Sequence, residues 1–198
     1  MAHNQSVPDA AGVPGAGGDS QRTSPADELA VDLVVIDRSH WQPLRELRLE
    51  MLADTPTAYI ESLAQSLAFI DEEWVFRAQR NESPHCVGLA AADSATGRWV
   101  ATMSAYIDNG GLAQLVTVYI SPGYRGAGLA EWMLEHIFDW VRTSSAATEM
   151  NLFVHEQNAR AIGFYERVGF ATTGRAQPYP LDISKRELEM RMPVPPAR

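Results

Sequence analysis

One stretch, residues 115–140, constrains the fold more than any other part of this 198-residue chain. A β-branched and aromatic run at 115–120 leads through SPGYRGAG at 121–128 into a segment with apolar residues at helical spacing. This order predicts a strand, a tight turn and a helix. Glycines at 126 and 128 let the backbone bend without a Cβ and point several N–H groups outward. Such a turn suits a phosphate or pyrophosphate, although strand–turn–helix joints also need glycine for structural reasons.

Composition separates a tail from a folded domain. Residues 1–28 are rich in Gly, Pro, Ala, Ser and Asp and carry no periodic apolar pattern, so they cannot bury enough surface to offset their ordering entropy. We expect a disordered tail over 1–28 and one domain over 29–198, with a real core because 45% of the chain is apolar. The tail lacks the basic start and hydrophobic run of a secretory signal, and no later apolar run is long enough to span a bilayer.

Charge and cysteine content narrow the class of partner. The formal net charge is −9 and the sequence pI is about 5.0, which argues against nonspecific binding to nucleic acid or anionic membranes and favours a cationic or amine ligand. The single cysteine, Cys86, has no partner for a disulfide or a Cys-rich metal site and is expected to be a buried, inert thiol. We therefore predict a cytoplasmic protein that binds neither metal, nucleic acid nor membrane.

Periodicity and turn residues divide the domain into strands and helices. The predicted strands are Val31–Ile36, Cys86–Asp93, Trp99–Ile107, Leu112–Ile120, Glu149–Val154, Phe170–Gly174 and Glu187–Met192. The predicted helices are Trp41–Ala53, Thr57–Leu67, Asp71–Arg80, the segment after Gly128, and Ala159–Val168. Four consecutive strands precede the glycine turn, so the fold class is α+β with a mixed sheet of about seven strands, rather than a repeated βαβ array.

Two common phosphate-binding folds do not fit this order. The Rossmann turn follows the first strand of a parallel domain and needs an acidic residue about twenty positions later. A P-loop requires Lys-Ser/Thr after its glycines, whereas Leu129 and Ala130 stand there. The glycine turn therefore belongs to a different architecture.

Two blocks of sequence resemble the GNAT superfamily of N-acetyltransferases, which move an acetyl group from acetyl-CoA to an amine. The first, Arg125-x-x-Gly128-x-Ala130, is similar to the family's Gln/Arg-x-x-Gly-x-Gly/Ala pyrophosphate arm and follows V-x-V-x-I-S-P-G-Y at 116–124. The second, at residues 158–170, matches the family's N-x-x-A-x-x-(F/L)-Y-x-x-x-G-F segment. The resemblance extends from about residue 33 to residue 192 and implies a three-layer α/β/α domain with a mixed, mostly antiparallel sheet.

The resemblance also implies a set of residues for acetyl-CoA, the expected cosubstrate. Backbone groups of Val118, Tyr119 and Ile120 would pair with the pantetheine arm as if it were an added strand. The N–H groups of six consecutive residues would hold the pyrophosphate: Gly126, Ala127, Gly128, Leu129, Ala130 and Glu131. Basic residues that the family often has at 127 and 131 are missing, so affinity would depend on Arg125 and the backbone. Asn158 would touch acetyl-CoA, although its position also suits a simple helix N-cap.

Tyr165 occupies the family's tyrosine position and is the candidate general acid for the departing CoA thiolate. Proton transfer from a phenol with a pKa of about 10 to a thiolate whose conjugate acid has a pKa near 8.5 costs only a small amount of free energy. A tyrosine on a short helix is otherwise a core residue. A backbone N–H near Val118 would stabilise the oxyanion.

The base for the acceptor amine is missing from its usual positions. Gln114 aligns with the glutamate that many family members carry on the central strand, and Phe153 stands where some carry one on the next strand. A water chain could serve instead, or one of four side chains for which a surface role is the simpler interpretation: Glu61, Asp108, Glu156 and His155. A site without a dedicated carboxylate would suit a low-pKa amine, since deprotonating such an amine at pH 7 costs less free energy than deprotonating a lysine-like amine.

The resulting hypothesis is an acetyl-CoA-dependent N-acetyltransferase acting on a primary amine of a small molecule or peptide. The acceptor site would include the segments around Tyr59 and Tyr179. The alternative is a noncatalytic acyl-CoA-binding or regulatory module with the same fold. The sequence leaves the acceptor and the formation of a homodimer open.

Overall fold

The computed structural model describes residues 24–197, which form a single sheet flanked by helices. The helices are α1 (Pro25–Leu29), α2 (Trp41–Asp54), α3 (Leu63–Leu67), α4 (Asp71–Gln79), α5 (Leu129–Ser144) and α6 (Ala159–Arg167). The strands are β1 (Val31–Val35), β2 (Cys86–Asp93), β3 (Trp99–Ile107), β4 (Ala113–Ile120), β5 (Glu149–His155), β6 (Ala171–Tyr179) and β7 (Asp182–Pro193).

Within these residues the sheet has seven strands in the order β1-β2-β3-β4-β5-β7-β6. Strands β4 and β5 pair in parallel, and all other neighbours pair antiparallel. The parallel pair is possible because α5 carries the chain from the end of β4 back to the start of β5. The prediction of an α+β domain with a mixed, mostly antiparallel sheet is confirmed.

Two apolar cores, one on each face of the sheet, produce the three layers. Strand β2 supplies both, because Leu89 and Ala91 belong to the core that contains the buried face of α5, whereas Ala90 and Ala92 pack against α2. This alternation is the period-two pattern of a central strand buried on both faces. The larger core includes Met133, Ile137 and Val141 of α5, which lie at helical spacing.

The domain begins earlier than composition predicted. Ser24 caps α1 with its hydroxyl on the backbone N–H of Asp27, and Ala26 is buried in the core beneath α5. Residues 24–28, assigned to the tail from their composition, are therefore part of the packed domain. The rest of the predicted tail, residues 1–23, lies outside the described residues, and its disorder stays a prediction.

The predicted helix over 57–67 is only partly present. A short 3-10 turn covers Pro56–Ala58, and α3 begins only at Leu63, where Ser62 provides a capping box with Gln65. Between them Tyr59 has an extended backbone, and its hydroxyl donates a hydrogen bond to the carbonyl of Val118. Tertiary contact with β4 thus overrides the local helical pattern.

The last two predicted strands, Phe170–Gly174 and Glu187–Met192, are too short, because β6 continues through Pro178 to Tyr179 and β7 starts at Asp182. Strand β6 is an edge strand that pairs only with β7 in the described sheet. A proline has no N–H to donate, so an edge strand tolerates it where a central strand does not. The two strands form a long, tightly connected hairpin.

Among residues 24–197, no helix combines the length and apolar composition needed to cross a membrane.

Candidate active site

The sheet opens between its two parallel strands. Within the described chain, β4 and β5 pair through only two residue pairs, Ala113 with Met150 and Gln114 with Asn151. Beyond Gln114 the edge of β4 that faces β5 has no strand partner, so an extended ligand could pair with backbone groups there. Two carbonyls of this part of β4 already accept side-chain hydrogen bonds, that of Val118 from Tyr59 and that of Ile120 from Arg125.

A β-bulge interrupts β4 at this opening. On β3, Thr102 pairs with Tyr119 and Ser104 pairs with Val116, so one residue of β3 faces two residues of β4. The extra residue is Thr117, whose φ of 56° is unusual for a β-branched side chain. Such a conformation costs about 1–3 kcal/mol and persists only where its surroundings impose it. Since strain of this kind concentrates at functional sites, the bulge marks the middle of the opening as a candidate reaction centre.

The turn after β4 has the geometry that its glycines predicted. Gly126 and Gly128 have φ of 81° and 80°, a left-handed conformation that residues with a Cβ rarely adopt. Gly128 is also the N-cap of α5, without any side-chain hydrogen bond to the helix. The first backbone N–H groups of α5, a 16-residue helix, therefore remain available to an anion.

Carboxylates from α2 and β2 fix this turn in place. Glu50 accepts a hydrogen bond of 2.5 Å from the Ser121 hydroxyl, and Asp93 accepts one of 2.7 Å from the Tyr124 hydroxyl. Arg125 donates through Nε to the carbonyl of Ile120 at 2.8 Å, and its Nη2 pairs with Asp54. The Arg125 guanidinium thus clamps the loop to α2 and is already engaged.

A cavity of about 550 Å³ lies over the opening and the turn. The predicted residues that line it are Val118, Tyr119, Ile120, Arg125, Gly126, Gly128, Leu129, Ala130, Glu131, Asn158 and Tyr165. Ala127, the remaining predicted residue, is not in its lining. Asn158 also accepts a hydrogen bond from the N–H of Ala161 at 3.2 Å, so the N-cap interpretation is correct for it.

Two arginines of α6 that the sequence analysis did not single out also line this cavity. Arg167 pairs with Glu131 at 3.4 Å, and the Arg160 side chain has no hydrogen-bond or ion-pair partner among residues 24–197. Both lie close to Asn158 in the second sequence block. Their proximity to the glycine turn depends on the tertiary packing of α6 beside the start of α5.

Tyr165 is buried against an aromatic cluster while its side chain lines the cavity. Its ring lies 5.6 Å from that of Phe170 and 5.4 Å from that of Phe164. No side chain or backbone group of residues 24–197 forms a hydrogen bond with its hydroxyl, which leaves that group available to a ligand in the cavity. Burial raises the pKa of Tyr165, so the phenol stays protonated at neutral pH.

A second cavity, of about 890 Å³, lies on the other side of the bulge. Thr117, Val116 and Gln114 of β4 line it, and Phe153, with 40% of its surface exposed, lies across the opening on β5. Ala58 and Tyr59 line both cavities. The predicted acceptor-side residue Tyr179 does not line it, but its hydroxyl bonds the carbonyl of Tyr59 at 2.7 Å and fixes the shared wall.

Two glutamates line this second cavity, and they differ in their partners. Glu61 forms ion pairs with Arg48 at 2.9 Å and with Arg77 at 3.0 Å. Burial raises the pKa of Glu61, but the hydrogen bonds from the two guanidiniums outweigh it and hold the pKa below its usual value. Glu187 of β7 is 8% exposed and accepts a hydrogen bond of 2.9 Å from the side-chain amide of Gln177.

As the sequence indicated, no carboxylate stands at positions 114 and 153, but the second cavity contains Glu61, one of the candidate bases, and also Glu187, which was not among them. The sequence held a signal for Glu187. Leu188, Met190 and Met192 alternate along β7 and face the core, which places the intervening residues on the opposite face. What the sequence lacked was the position of that face relative to the opening between β4 and β5.

The other three carboxylate or imidazole candidates lie outside both cavities. Backbone and side-chain hydrogen bonds from Leu112 and Gln114 lower the pKa of Asp108, which holds a turn. A hydrogen bond from Arg186 likewise lowers the pKa of Glu156. His155 is buried and accepts a hydrogen bond from a backbone N–H at its Nδ1. Within residues 24–197 no group of three or more His, Cys, Asp or Glu residues could hold a metal ion.

Comparison with known proteins gives a consistent result. The sequence model described as "Acetyltransferase (GNAT) family" matches residues 44–170. A peptidyl-lysine N-acetyltransferase of Escherichia coli, YjaB, is 40% identical over 70 residues, which are 32% of this chain and 44% of that protein. The chain thus aligns with less than half the length of this curated relative.

Solved structures share the fold at low identity. A GNAT-family acetyltransferase from Streptococcus pneumoniae superposes with a TM-score of 0.70 at 16% identity, covering 83% of this chain and 99% of the other. The yncA protein from Salmonella typhimurium, described with acetyl-CoA, gives 0.66 at 15% identity over 85% and 96% of the two chains. The family match over more than half of the sequence, together with this fold, shows that the chain belongs to the acetyltransferase (GNAT) family.

Proposed function

We propose that this chain transfers an acetyl group from acetyl-CoA to a primary amine of a small molecule or peptide. One observation carries the proposal: two cavities approach the bulge of β4 from opposite sides and share Ala58 and Tyr59 as a wall. Direct transfer between two ligands requires their reacting atoms to lie about 3–3.5 Å apart. Two adjoining cavities at one irregular strand provide such a meeting point.

The first cavity fits acetyl-CoA, which supplies the activated acetyl thioester when bound. The free edge of β4 offers backbone groups to the two amides of a pantetheine arm. The left-handed glycines and the uncapped start of α5 offer N–H groups to a pyrophosphate. The Arg160 and Arg167 side chains would add positive charge beside those phosphates, whereas the guanidinium of Arg125, the predicted cation, is already bound to Asp54 and to the carbonyl of Ile120.

Backbone groups at the bulge would stabilise negative charge on the acetyl oxygen. The Tyr59 hydroxyl donates to the carbonyl of Val118 at 3.2 Å and so holds the peptide group that follows this residue. Donors held in place before reaction stabilise developing charge without the cost of reorganisation.

Tyr165 would donate a proton to the thiolate of CoA. Because burial raises the pKa of Tyr165, a free tyrosinate is unfavourable. Proton transfer from Tyr165 would therefore have to accompany departure of the thiolate rather than precede it. Its aromatic neighbours exclude water from the ring and leave the hydroxyl as the polar group of this wall.

The acceptor would enter through the second cavity. Its lining combines the apolar side chains of Ile60, Tyr106 and Phe153, all substantially exposed, with the charged groups of Glu61 and Glu187. This mixture suits an amine carried on an apolar chain, which includes the lysine side chain named for the Escherichia coli relative. The choice between a peptide and a small molecule is left to the assay.

An acceptor panel tests the proposal. Free CoA is measured while the protein is incubated with acetyl-CoA and lysine peptides, N-terminal peptides or small primary amines, and turnover of at least one amine is expected. Acetyl-CoA at a hundred times its Kd should stabilise the fold by about 2.7 kcal/mol. Stabilisation without turnover of any amine would favour the noncatalytic acyl-CoA-binding module, and the absence of both would exclude both functions.

A further inference from the structure

The reaction needs a base for the acceptor, and both positions where relatives carry a glutamate lack one here. Gln114 is bound in a side-chain network, donating to Asp108 at 2.9 Å and accepting from Asn151 at 3.0 Å. Phe153 has no titratable group. We propose that Glu187, on β7, removes the proton from the acceptor amine. This inference rests on the proposed acetyl transfer.

Glu187 lies in the cavity where the acceptor would bind. Thr117 of the bulge and Phe153 of β5 line the same cavity. In the β5–β7 ladder Glu187 pairs with His155, two residues after Phe153, so its side chain is on the sheet face that carries Phe153. The carboxylate therefore approaches the opening from the next strand of the sheet.

Its hydrogen bonding distinguishes Glu187 from the other carboxylate in the cavity. Glu61 accepts from two arginines, so its lone pairs are engaged and its charge is neutralised. The one hydrogen-bond donor to Glu187 among residues 24–197 is the neutral amide of Gln177. A buried carboxylate without a cationic partner is costly, and a bound ammonium would supply that partner.

The charged and titratable groups around Glu187 are few. His155 faces it across the ladder, and the ring of Tyr179 packs edge-on against His155 at 4.8 Å. The cationic groups of the cavity are Arg48, Arg77 and Arg80, of which the first two are held by Glu61. Arg186, its neighbour in sequence, pairs with Glu156 instead. Among residues 24–197, Glu187 is thus the carboxylate of this cavity that has no ion-pair partner.

The proposed transfer conserves atoms and charge. The acceptor arrives as an ammonium ion and loses one proton to the Glu187 carboxylate, which becomes a carboxylic acid. The neutral nitrogen forms a bond to the acetyl carbon as the carbon–sulfur bond breaks and Tyr165 protonates the thiolate. After the bond forms, the nitrogen passes its second proton to the Tyr165 phenolate. Glu187 then releases to solvent the proton that it took from the ammonium. One proton is released for each amide and thiol formed.

Glu187→Gln tests this role, and Glu189→Gln is the matched control. Glu189 is also buried, two residues further along the same face of β7, but it is bonded to Thr173 at 2.6 Å and lies outside the cavity. An amine that the wild type acetylates is assayed from about pH 6 to about pH 10, a range that spans the ionisation of ordinary amines. Calorimetric binding of the same amine to the CoA-saturated protein is measured in parallel.

We expect Glu187→Gln to lower kcat about 100-fold near pH 7, as for loss of a general base, with the KM for acetyl-CoA unchanged. The loss should shrink as the pH approaches the pKa of the amine, because the neutral form is then already present. Amine binding at neutral pH should weaken severalfold through loss of the carboxylate partner. Glu189→Gln should keep the wild-type profile.

Several results would overturn the assignment. They are a Glu187→Gln variant with near-wild-type kcat at pH 7, a loss equal at every pH, or an equal loss in Glu189→Gln. In each case the wild type still acetylates the amine, so the proposed function survives. A wild type that acetylates no amine would reject the function itself.

Discussion

At the scale of single residues, Arg125 and Arg160 come from different sequence blocks and line the same cavity, but they differ in their partners. Arg125 belongs to the block that resembles the pyrophosphate arm, yet its guanidinium is occupied by Asp54 and by the carbonyl of Ile120. Arg160, which the pattern leaves unspecified, lines the same cavity and has no hydrogen-bond or ion-pair partner among residues 24–197. Sequence position identified the loop, and hydrogen-bond partners identify which cation is available.

Arg160→Ala is therefore expected to raise the KM for acetyl-CoA about three- to tenfold at low salt and to leave kcat nearly unchanged, because an exposed cation near a phosphate contributes modestly. The effect should decrease with added salt. Arg175→Ala on the exposed strand β6 is the control and should not change KM. A salt-independent effect, or none, would argue against phosphate contact. Steady-state kinetics at two ionic strengths provides the measurement.

Tyr165→Phe should reduce kcat about 100-fold with little change in the KM for acetyl-CoA, because it removes a proton donor and keeps the ring. Tyr124→Phe is the matched control, since Tyr124 lines the same cavity but donates its hydroxyl to Asp93. Its kcat should remain close to wild type. Equal kcat values for the Tyr165→Phe variant and the wild type would remove Tyr165 from the chemistry.

At the scale of elements, the strand, turn and helix of residues 115–140 have a conformational requirement at one position. Gly128 has φ of 80°, and a Cβ there would lie 3.2 Å from the Cγ of Pro25 on α1. The N-terminal helix thus packs directly on the glycine turn. Sequence spacing predicted the turn, but it gave no sign that residues before the predicted domain would support it.

Gly128→Ala should lower the free energy of unfolding by about 1–2 kcal/mol through the left-handed backbone alone, and should weaken acetyl-CoA binding by moving the start of α5. Gly123→Ala, in the same turn, has a φ outside the left-handed region and no atom within 4 Å of the added Cβ, so it should be nearly neutral. Urea unfolding and calorimetric titration with acetyl-CoA compare the two. Similar values for both variants would show that the turn adapts freely.

At the scale of the whole molecule, an ion-pair cluster joins the segments around the second cavity. Glu61, in the segment between α2 and α3, binds Arg48 of α2 and Arg77 of α4. The guanidinium of Arg48 also lies 4.8 Å from the centre of the Tyr59 ring, beside the wall shared by the two cavities. The cluster thus connects the helical layer to the site.

Glu61→Gln should destabilise the protein by about 2–3 kcal/mol at neutral pH, because it leaves two partly buried arginines without their carboxylate. The folded pKa of Glu61 lies below its usual value, so this contribution is present above the unfolded pKa and is lost as pH falls through the folded one. The difference in Tm between wild type and variant should therefore shrink below about pH 4.5. A pH-independent difference in thermal melts would attribute the effect to packing.

The sequence by itself determined the strand–turn–helix, the α+β class and most element boundaries, because these follow from local periodicity and turn residues. Strands β2 and β3, for example, begin and end at the residues predicted for them. The resemblance of two sequence blocks to the GNAT family pointed further to Tyr165 and to a pyrophosphate role for the glycine turn. Errors arose where tertiary contacts override local pattern, as at Tyr59 and along β6.

Only the tertiary structure decided which groups surround the opening between β4 and β5. The pairing of β5 with β7 brings Glu187 to the cavity, and the packing of α6 brings Arg160 to the glycine turn. Glu187 lies 73 positions after Gln114, the aligned position of the missing carboxylate. Strand order is set by the burial of whole faces, which no local pattern encodes, and it therefore determines which side chains meet at the site.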